Sequence, residues 1–290
     1  MEILKKLYWS SYSAMNIYHA LHNVRTLPKS GERFRSRVID NNWYSGDSVI
    51  KAIGEDPDSV LLEHGLHLGS YCHKFLERSV IKRVITFSDF RCKLLGSINK
   101  EAVPVGPYIH YVSECEISDL PKEYVLYILS HSSSKEIISQ PRLILDQLDW
   151  LSKLVQKELL IQIHPNDKAM MATLEGRFKW ITAGSKTDPL FLHRVRTIIA
   201  NSSLVIVDSI GTHIGYIHLL RKQMVYVQSV LERIISKEGD VSSYEKEMRT
   251  NPLLKSQKDT LMKNMVHGEM ILDDSFFSAV EDYWGFKYLK

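Results

Sequence analysis

The chain has 290 residues, 44% of them hydrophobic and 24% charged, with 14 glycines and 9 prolines. These are ordinary globular proportions, which exclude a disordered, collagenous or low-complexity protein and leave room for two medium domains. A formal net charge of +3, with basic residues mixed among acids, leaves no footprint for nucleic acid, and no nucleic-acid partner is expected.

From the N-terminus, an apolar start turns polar at Ser10, Ser11, Tyr12 and Ser13. It lacks the apolar core and small-residue cleavage site of a signal peptide, which predicts a cytoplasmic protein. No run approaches the ~18 apolar residues of a membrane span, so any contact with the inner membrane would be peripheral. Cys72, Cys92 and Cys115 form no C-x-x-C pair, and reduced thiols are expected. Short apolar runs rich in β-branched residues then recur: Val60–Leu62, Val84–Phe87, Tyr124–Leu129, Leu159–Ile163, Trp180–Thr182, Leu204–Val207 and Met224–Val227. They lack polar alternation, as strands covered on both faces do. Helical patterns lie between them. Pro141–Gln156 carries leucines and isoleucine at three- and four-residue spacing, and Asp188-Pro189 reads as an N-cap and first helical residue of a helix reaching Ser202. The tail from residue 271 to 290 reads as a helix with Phe276, Phe277, Val280, Tyr283 and Trp284 on its core side. Strand–helix alternation predicts an α/β protein with parallel sheets. The acidic, proline-ended stretch 114–122 divides it into an N-terminal lobe over 1–118 and a C-terminal lobe over 119–270.

Parallel sheets bind ligands beyond the carboxyl ends of their strands. Four such ends carry polar groups. Glu63, His64 and Gly65 follow the first strand, and Glu63 could act as a general base were its pKa raised by burial; a helix cap is the alternative. His164 and Pro165 follow another, the proline holding the histidine extended; a simple turn is the alternative. Gly184, Ser185 and Lys186 form a small-residue loop that reads as an anion cradle or as an ordinary turn. Ser209, Gly211, Thr212 and His213 bring hydroxyls and a closely approachable backbone before an apolar helix, a pattern suited to phosphate. Neither a Walker loop nor a G-x-G-x-x-G is present. Asp56-Pro57-Asp58 precedes a strand and reads as a turn. No histidine set has metal-ligand spacing, so neither a metal nor another cofactor is expected.

Taken in order, Glu63-His64-Gly65, His164-Pro165 and Ser209 in Ser-Ile-Gly-Thr-His resemble the motifs of bacterial sialyltransferase-like enzymes. Val105–Tyr111 resembles the segment that ends their N-terminal lobe. The run from Ile181–Gly184 through Asp188–Leu192 to Tyr216 is similar to proteins of O-antigen and capsule clusters. The resemblance covers about residues 55 to 230 and departs at His64, where that family has a second carboxylate. It implies two Rossmann-like lobes of the GT-B type with a cleft between them. It further implies a metal-independent glycosyltransferase that moves a sugar from a nucleotide donor, such as a CMP-activated acidic sugar, to a glycan or lipid-linked glycan acceptor. Glu63 or His64 would then be the base. His164, Ser209, Thr212 and the Gly211 backbone, with Pro165, Gly184, Ser185 and His213 around them, would hold the departing phosphate. The rival readings are a nucleotide-sugar epimerase on the same fold, which needs an acid and a base flanking one sugar and no acceptor, and a non-catalytic binding subunit.

Overall fold

The computed structural model describes residues 38–118, 120–131, 136–138, 141–165, 167–231, 233–235, 251–262 and 274–289. The N-terminal stretch read for a leader, the lobe-boundary residue Asp119, Ser132–Ser134 and Asn166 lie outside them.

Two parallel sheets organise the described residues. The first has three strands, β1 (Leu61–Leu62), β2 (Arg83–Thr86) and β3 (Glu101–Pro104), in the order β1-β2-β3. Leu61 lies opposite Val84, and Thr86 opposite Pro104. The second has five, β4 (Tyr124–Ile128), β6 (Glu158–Gln162), β7 (Lys179–Ile181), β8 (Leu204–Val207) and β9 (Met224–Tyr226), in the order β7-β6-β4-β8-β9. A short antiparallel ribbon pairs β5 (Glu136–Ile138) with β10 (Arg233–Ile235). The chain leaves β4 towards β6 and β7, then returns to the other side of β4 for β8 and β9. A topological switch point therefore falls between β4 and β8, where open sheets of this type have their ligand crevice. This is a two-lobed α/β architecture of Rossmann-like, parallel sheets, as expected.

The absence of polar alternation in the strand sequences has its cause in the packing. In β4, Tyr124, Leu126 and Ile128 enter one buried cluster, while Val125 and Tyr127 enter another on the opposite face. Successive side chains point to opposite faces, and both faces are covered. The helices α1 (Gly46–Ala52), α2 (Lys74–Arg78) and α3 (Asp89–Ser97) belong to the first lobe, and α4 (Ile144–Leu154), α5 (Lys168–Leu174), α6 (Phe191–Ala200) and α7 (His213–Leu219) to the second. Ile144, Leu148 and Leu151 of α4 are buried at helical spacing. One expectation needs correction: α6 starts at Phe191, not at Pro189. The Asp188 carboxylate accepts from the Leu190 N–H at 2.9 Å and from Arg194, so it shapes the loop ahead of the helix.

Two further helices, α8 (Pro252–Met262) and α9 (Asp274–Trp284), close the fold. Phe276, Val280 and Trp284 of α9 are fully buried, in the core role read from the sequence. The chain end then returns to the first lobe, where Lys287 and Tyr288 both reach Asp89. Gly285 (φ +73°) has no room for a β-carbon against the Phe87 carbonyl. One buried cluster consequently runs from Val49 and Leu62 of the first lobe through Leu126 and Ile214 of the second to Trp284. Among the described residues, no helix is long and apolar enough to cross a membrane.

Candidate functional site

Glu63 sits just past β1, with its N–H donating to the Ile85 carbonyl at 3.0 Å. Its carboxylate is fully buried and fully engaged. Arg91 of α3 donates from Nε at 3.1 and 3.2 Å and also from Nη2, and the Thr86 hydroxyl donates at 2.5 Å. Both ion-pair partners have 0% side-chain exposure. Arg91 reaches further, donating from Nη1 to the His67 carbonyl at 3.1 Å and from Nη2 to the Tyr71 carbonyl at 2.8 Å. The pair ties the loop 63–72 to the first lobe. A carboxylate held in this way is a structural anchor and has no lone pair aimed at an acceptor hydroxyl. Sequence reading missed Arg91, for no local pattern marks it.

His64 is 6% exposed. Its ring lies 5.2 Å from Trp43, 5.8 Å from Tyr44 and 5.3 Å from Phe75, centroid to centroid. Among the described residues neither ring nitrogen reaches a hydrogen-bond partner, although the Asp40 backbone lies beside the ring. Burial, aided by His73 and Lys186, pushes its pKa down to about 3. The imidazole is therefore neutral at physiological pH. Lys186 of the second lobe stands 3.6 Å over the Trp43 ring, and its carbonyl accepts from the Tyr44 N–H at 2.5 Å. Tyr44 and Ser45 both adopt left-handed backbone (φ 54° and 59°), a costly pair for side chains of these types. Ser45 Oγ accepts from the Leu192 N–H at 2.9 Å, so the strained segment bridges to α6.

In the second lobe, the ends of β4 and β8 are joined across the switch point. The Ser130 N–H and hydroxyl donate to Asp208 at 2.8 and 2.9 Å. His131 stacks on His164 at 4.5 Å, their planes 23° apart. His213 is half-buried, donates from Nε2 to the Ser209 carbonyl at 3.1 Å, and is held by desolvation at a pKa of about 4, with His131 lowering it further. Thr212 links the lobes: its hydroxyl accepts from the Leu66 N–H at 2.9 Å and its carbonyl from Trp284 Nε1 at 3.0 Å. A cavity of about 140 Å³ lies beside this link, walled by Leu66, His67, Ile210, Gly211, Lys258 and Trp284 among others.

The structure thus brings Gly65 and Leu66 against Thr212, and unites His164 with His131 near His213. Other sequence candidates prove to be self-satisfied. Gly184 (φ +100°) is pressed against the buried Arg194–Asp188 pair, where a β-carbon would come within 2.7 Å of Arg194 Nη1. Ser185 Oγ is 2.7 Å from Thr187 Oγ1 and accepts from the Thr187 N–H. Pro165 sits in the turn closed by the Asp167 N–H on the His164 carbonyl at 2.9 Å. Trp43, Tyr71 and His73, which no motif marked, line the same region. Among the described residues, no group of three or more His, Cys, Asp or Glu side chains is placed to hold a metal ion.

No protein-family model and no curated protein sequence matches the chain. Solved structures do resemble it. The S. aureus MnaA structure with UDP aligns at 14% identity and a TM-score of 0.37, over 78% of this chain and 80% of that one. UDP-N-acetylglucosamine 2-epimerase from Rickettsia bellii aligns at 14% and 0.36, over 79% and 65%. UDP-GlcNAc 2-epimerase from Methanocaldococcus jannaschii aligns at 12% and 0.34, over 80% and 77%. The resemblance drawn from the sequence motifs is corrected on this point, since two of these neighbours are titled UDP-GlcNAc 2-epimerases, the third is titled as a complex with UDP, and none is titled a sialyltransferase-like enzyme. The glycosyltransferase activity it implied is withdrawn with it. Of the two candidate bases, Glu63 is engaged by Arg91 and Thr86, while the ring nitrogens of His64 make no hydrogen bond among the described residues.

Proposed function

We propose that the chain is an enzyme that epimerises a nucleotide-linked sugar without a separate acceptor. The observation that carries this reading is a set of imidazoles drawn from both lobes, of which His64, His67 and His213 are held neutral by burial. His64 and His67 stand on the first-lobe side and His131, His164 and His213 on the second, with the two sides joined by Thr212 and Leu66. Inverting a carbon stereocentre needs one group to remove a proton on one face and another to return a proton on the other. A neutral imidazole has one N–H and one lone pair and can serve in either role. The nucleotide would lie at the β4–β8 switch point, where Ser130 and Asp208 fix the two strand ends. UDP-sugars, which the titles of the structural neighbours name, are the first ligands to try.

The test is to incubate the protein with UDP-GlcNAc and no acceptor, and to follow the sugar by proton NMR in heavy water. Appearance of a second nucleotide sugar carrying solvent deuterium at the inverted carbon is the expected result. No new epimer and no exchange, with folded protein, rejects the reading.

A further inference from the structure

Within the loop that Arg91 ties down, His67 and His73 face each other. Their Nε2 atoms are 2.8 Å apart and their ring planes 79° apart. Both Nε2 atoms also approach the His64 carbonyl, at 3.1 and 3.3 Å. Two bare lone pairs would repel at that separation, and two N–H groups would collide. One proton therefore sits between the rings. Whichever ring carries it, the other ring and the carbonyl stand ready to accept, so the two placements lie close in energy. Beyond His73, the Tyr71 hydroxyl lies 3.4 Å from Nδ1, long for a hydrogen bond and within reach of a small ring rotation. At the other end, His67 lines the cavity beside Gly211 and Lys258. Among the described residues its Nδ1 makes no hydrogen bond.

The surroundings keep this chain neutral. Glu63 and Arg91, the adjacent charged groups, offset each other. Burial pushes His67 down to about 3, with His73 and Arg91 adding to the effect, and lowers His73 as well. Each ring then keeps one proton and one lone pair, the condition for passing a proton on without holding a charge.

We propose that Tyr71, His73 and His67 form a proton relay between the surface of the 63–73 loop and the cavity beside Gly211. It deepens the epimerase reading, and rests on it for the identity of the molecule that receives the proton. In one pass, His67 gives its Nδ1 proton to the bound sugar and takes the His73 Nε2 proton at its own Nε2. His73 takes the Tyr71 hydroxyl proton at Nδ1, and the phenol oxygen takes one from water. Every member loses one proton and gains one, and both rings end neutral in the opposite tautomer. The partner group on the other face of the sugar takes the opposite proton; epimerisation in the reverse direction runs the relay backwards, and between turnovers in one direction the rings regain their starting tautomers by exchange with water. His67 faces the cavity; His73 and Tyr71 act through it as positioning residues.

Nitrogen-15 NMR of the histidine rings in the full chain tests the relay without any substrate. The expected result is a coupling between the two Nε2 nuclei across the hydrogen bond, with exchange between tautomers at His67 that is lost in Tyr71→Phe. A single static tautomer at His67, or exchange unchanged by Tyr71→Phe, overturns the relay. With UDP-GlcNAc as probe, His73→Ala should lower kcat by about a hundredfold at unchanged KM, the scale of a lost proton-transfer partner, and added imidazole should restore it. His73→Gln, which keeps a hydrogen-bonding side chain, should lose activity with an unchanged melting profile. Full activity in His73→Gln, or a loss in His73→Ala that imidazole leaves untouched, also overturns the relay. Ring exchange without turnover in the unaltered chain supports the relay and overturns the epimerase reading alone.

Discussion

Arg91→Met separates an anchoring Glu63 from a catalytic one. Methionine fills much of the same space but removes the charge and every donor. It strands a carboxylate of 0% exposure with the Thr86 hydroxyl as its remaining donor among the contacts described above. Breaking one side of a buried ion pair costs about 3–5 kcal/mol. The His67 and Tyr71 carbonyls lose a donor each, at about 1 kcal/mol apiece. The total is about 5–7 kcal/mol. With a urea m-value of about 3 kcal/mol/M for a chain of this size, the unfolding midpoint should fall by about 2 M. Adding Glu63→Gln in the Arg91→Met background removes the stranded charge and should recover part of that loss. Tryptophan fluorescence during urea titration of the four proteins closes the double-mutant cycle. A loss under about 1 kcal/mol in Arg91→Met, or no recovery in the double variant, would refute the anchor and return Glu63 to the list of free carboxylates.

Three further outcomes are expected. Thr212→Val removes the acceptor of the Leu66 N–H across the lobe junction; amide hydrogen exchange at Leu66 should accelerate, with a stability loss of about 1–3 kcal/mol, and unchanged protection there would show the bond to be idle. Gly215→Ala places a β-carbon into the Trp284 indole, so indole emission should shift red and stability should fall by about 1–3 kcal/mol; an unshifted spectrum contradicts this packing. His64 and His213 have folded pKa values near 3 and 4, below the ordinary value of 6.5. Between those limits the unfolded chain binds more protons than the folded one, so the contribution is complete above about pH 6.5 and shrinks as pH falls. The slope is about 1.4 kcal/mol per pH unit for each histidine, and denaturant titrations from pH 7 to 4 should show it; a flat profile rules out buried neutral histidines.

The strands were legible where burial is two-sided. The run 124–129 is apolar because β4 packs on both faces, and length distinguishes it from a helix. Strand β3 left no such trace. Glu101–Pro104 is an edge strand with one neighbour, no residue of it is fully buried, and it ends in proline, which only an edge tolerates. The end of β1 was legible as a place for polar chemistry, but the role of Glu63 was not. Its partner is 28 residues away on α3, and nothing in Asp89–Ser97 distinguishes a buried arginine from an exposed one. The Asp188-Pro189 signal was real chemistry assigned to the wrong job. Aspartate does cap an N–H there, one turn ahead of the helix, because Arg194 claims its other oxygen.

On the proposed reading the chemistry moves from carboxylates to imidazoles. The loop 63–73 is rigid at its root, through Glu63 and Arg91, and carries its histidines where burial keeps them uncharged. The 209–213 loop meets it through Thr212, and the same residue receives Trp284 from the chain end. Relative motion of the lobes must therefore break or carry along the Leu66–Thr212 bond. That bond lies beside the cavity wall shared by His67 and Gly211. The strained Tyr44–Ser45 segment, bonded to Lys186 and Leu192, ties the lobes at a second point, so the same motion would have to carry it along as well.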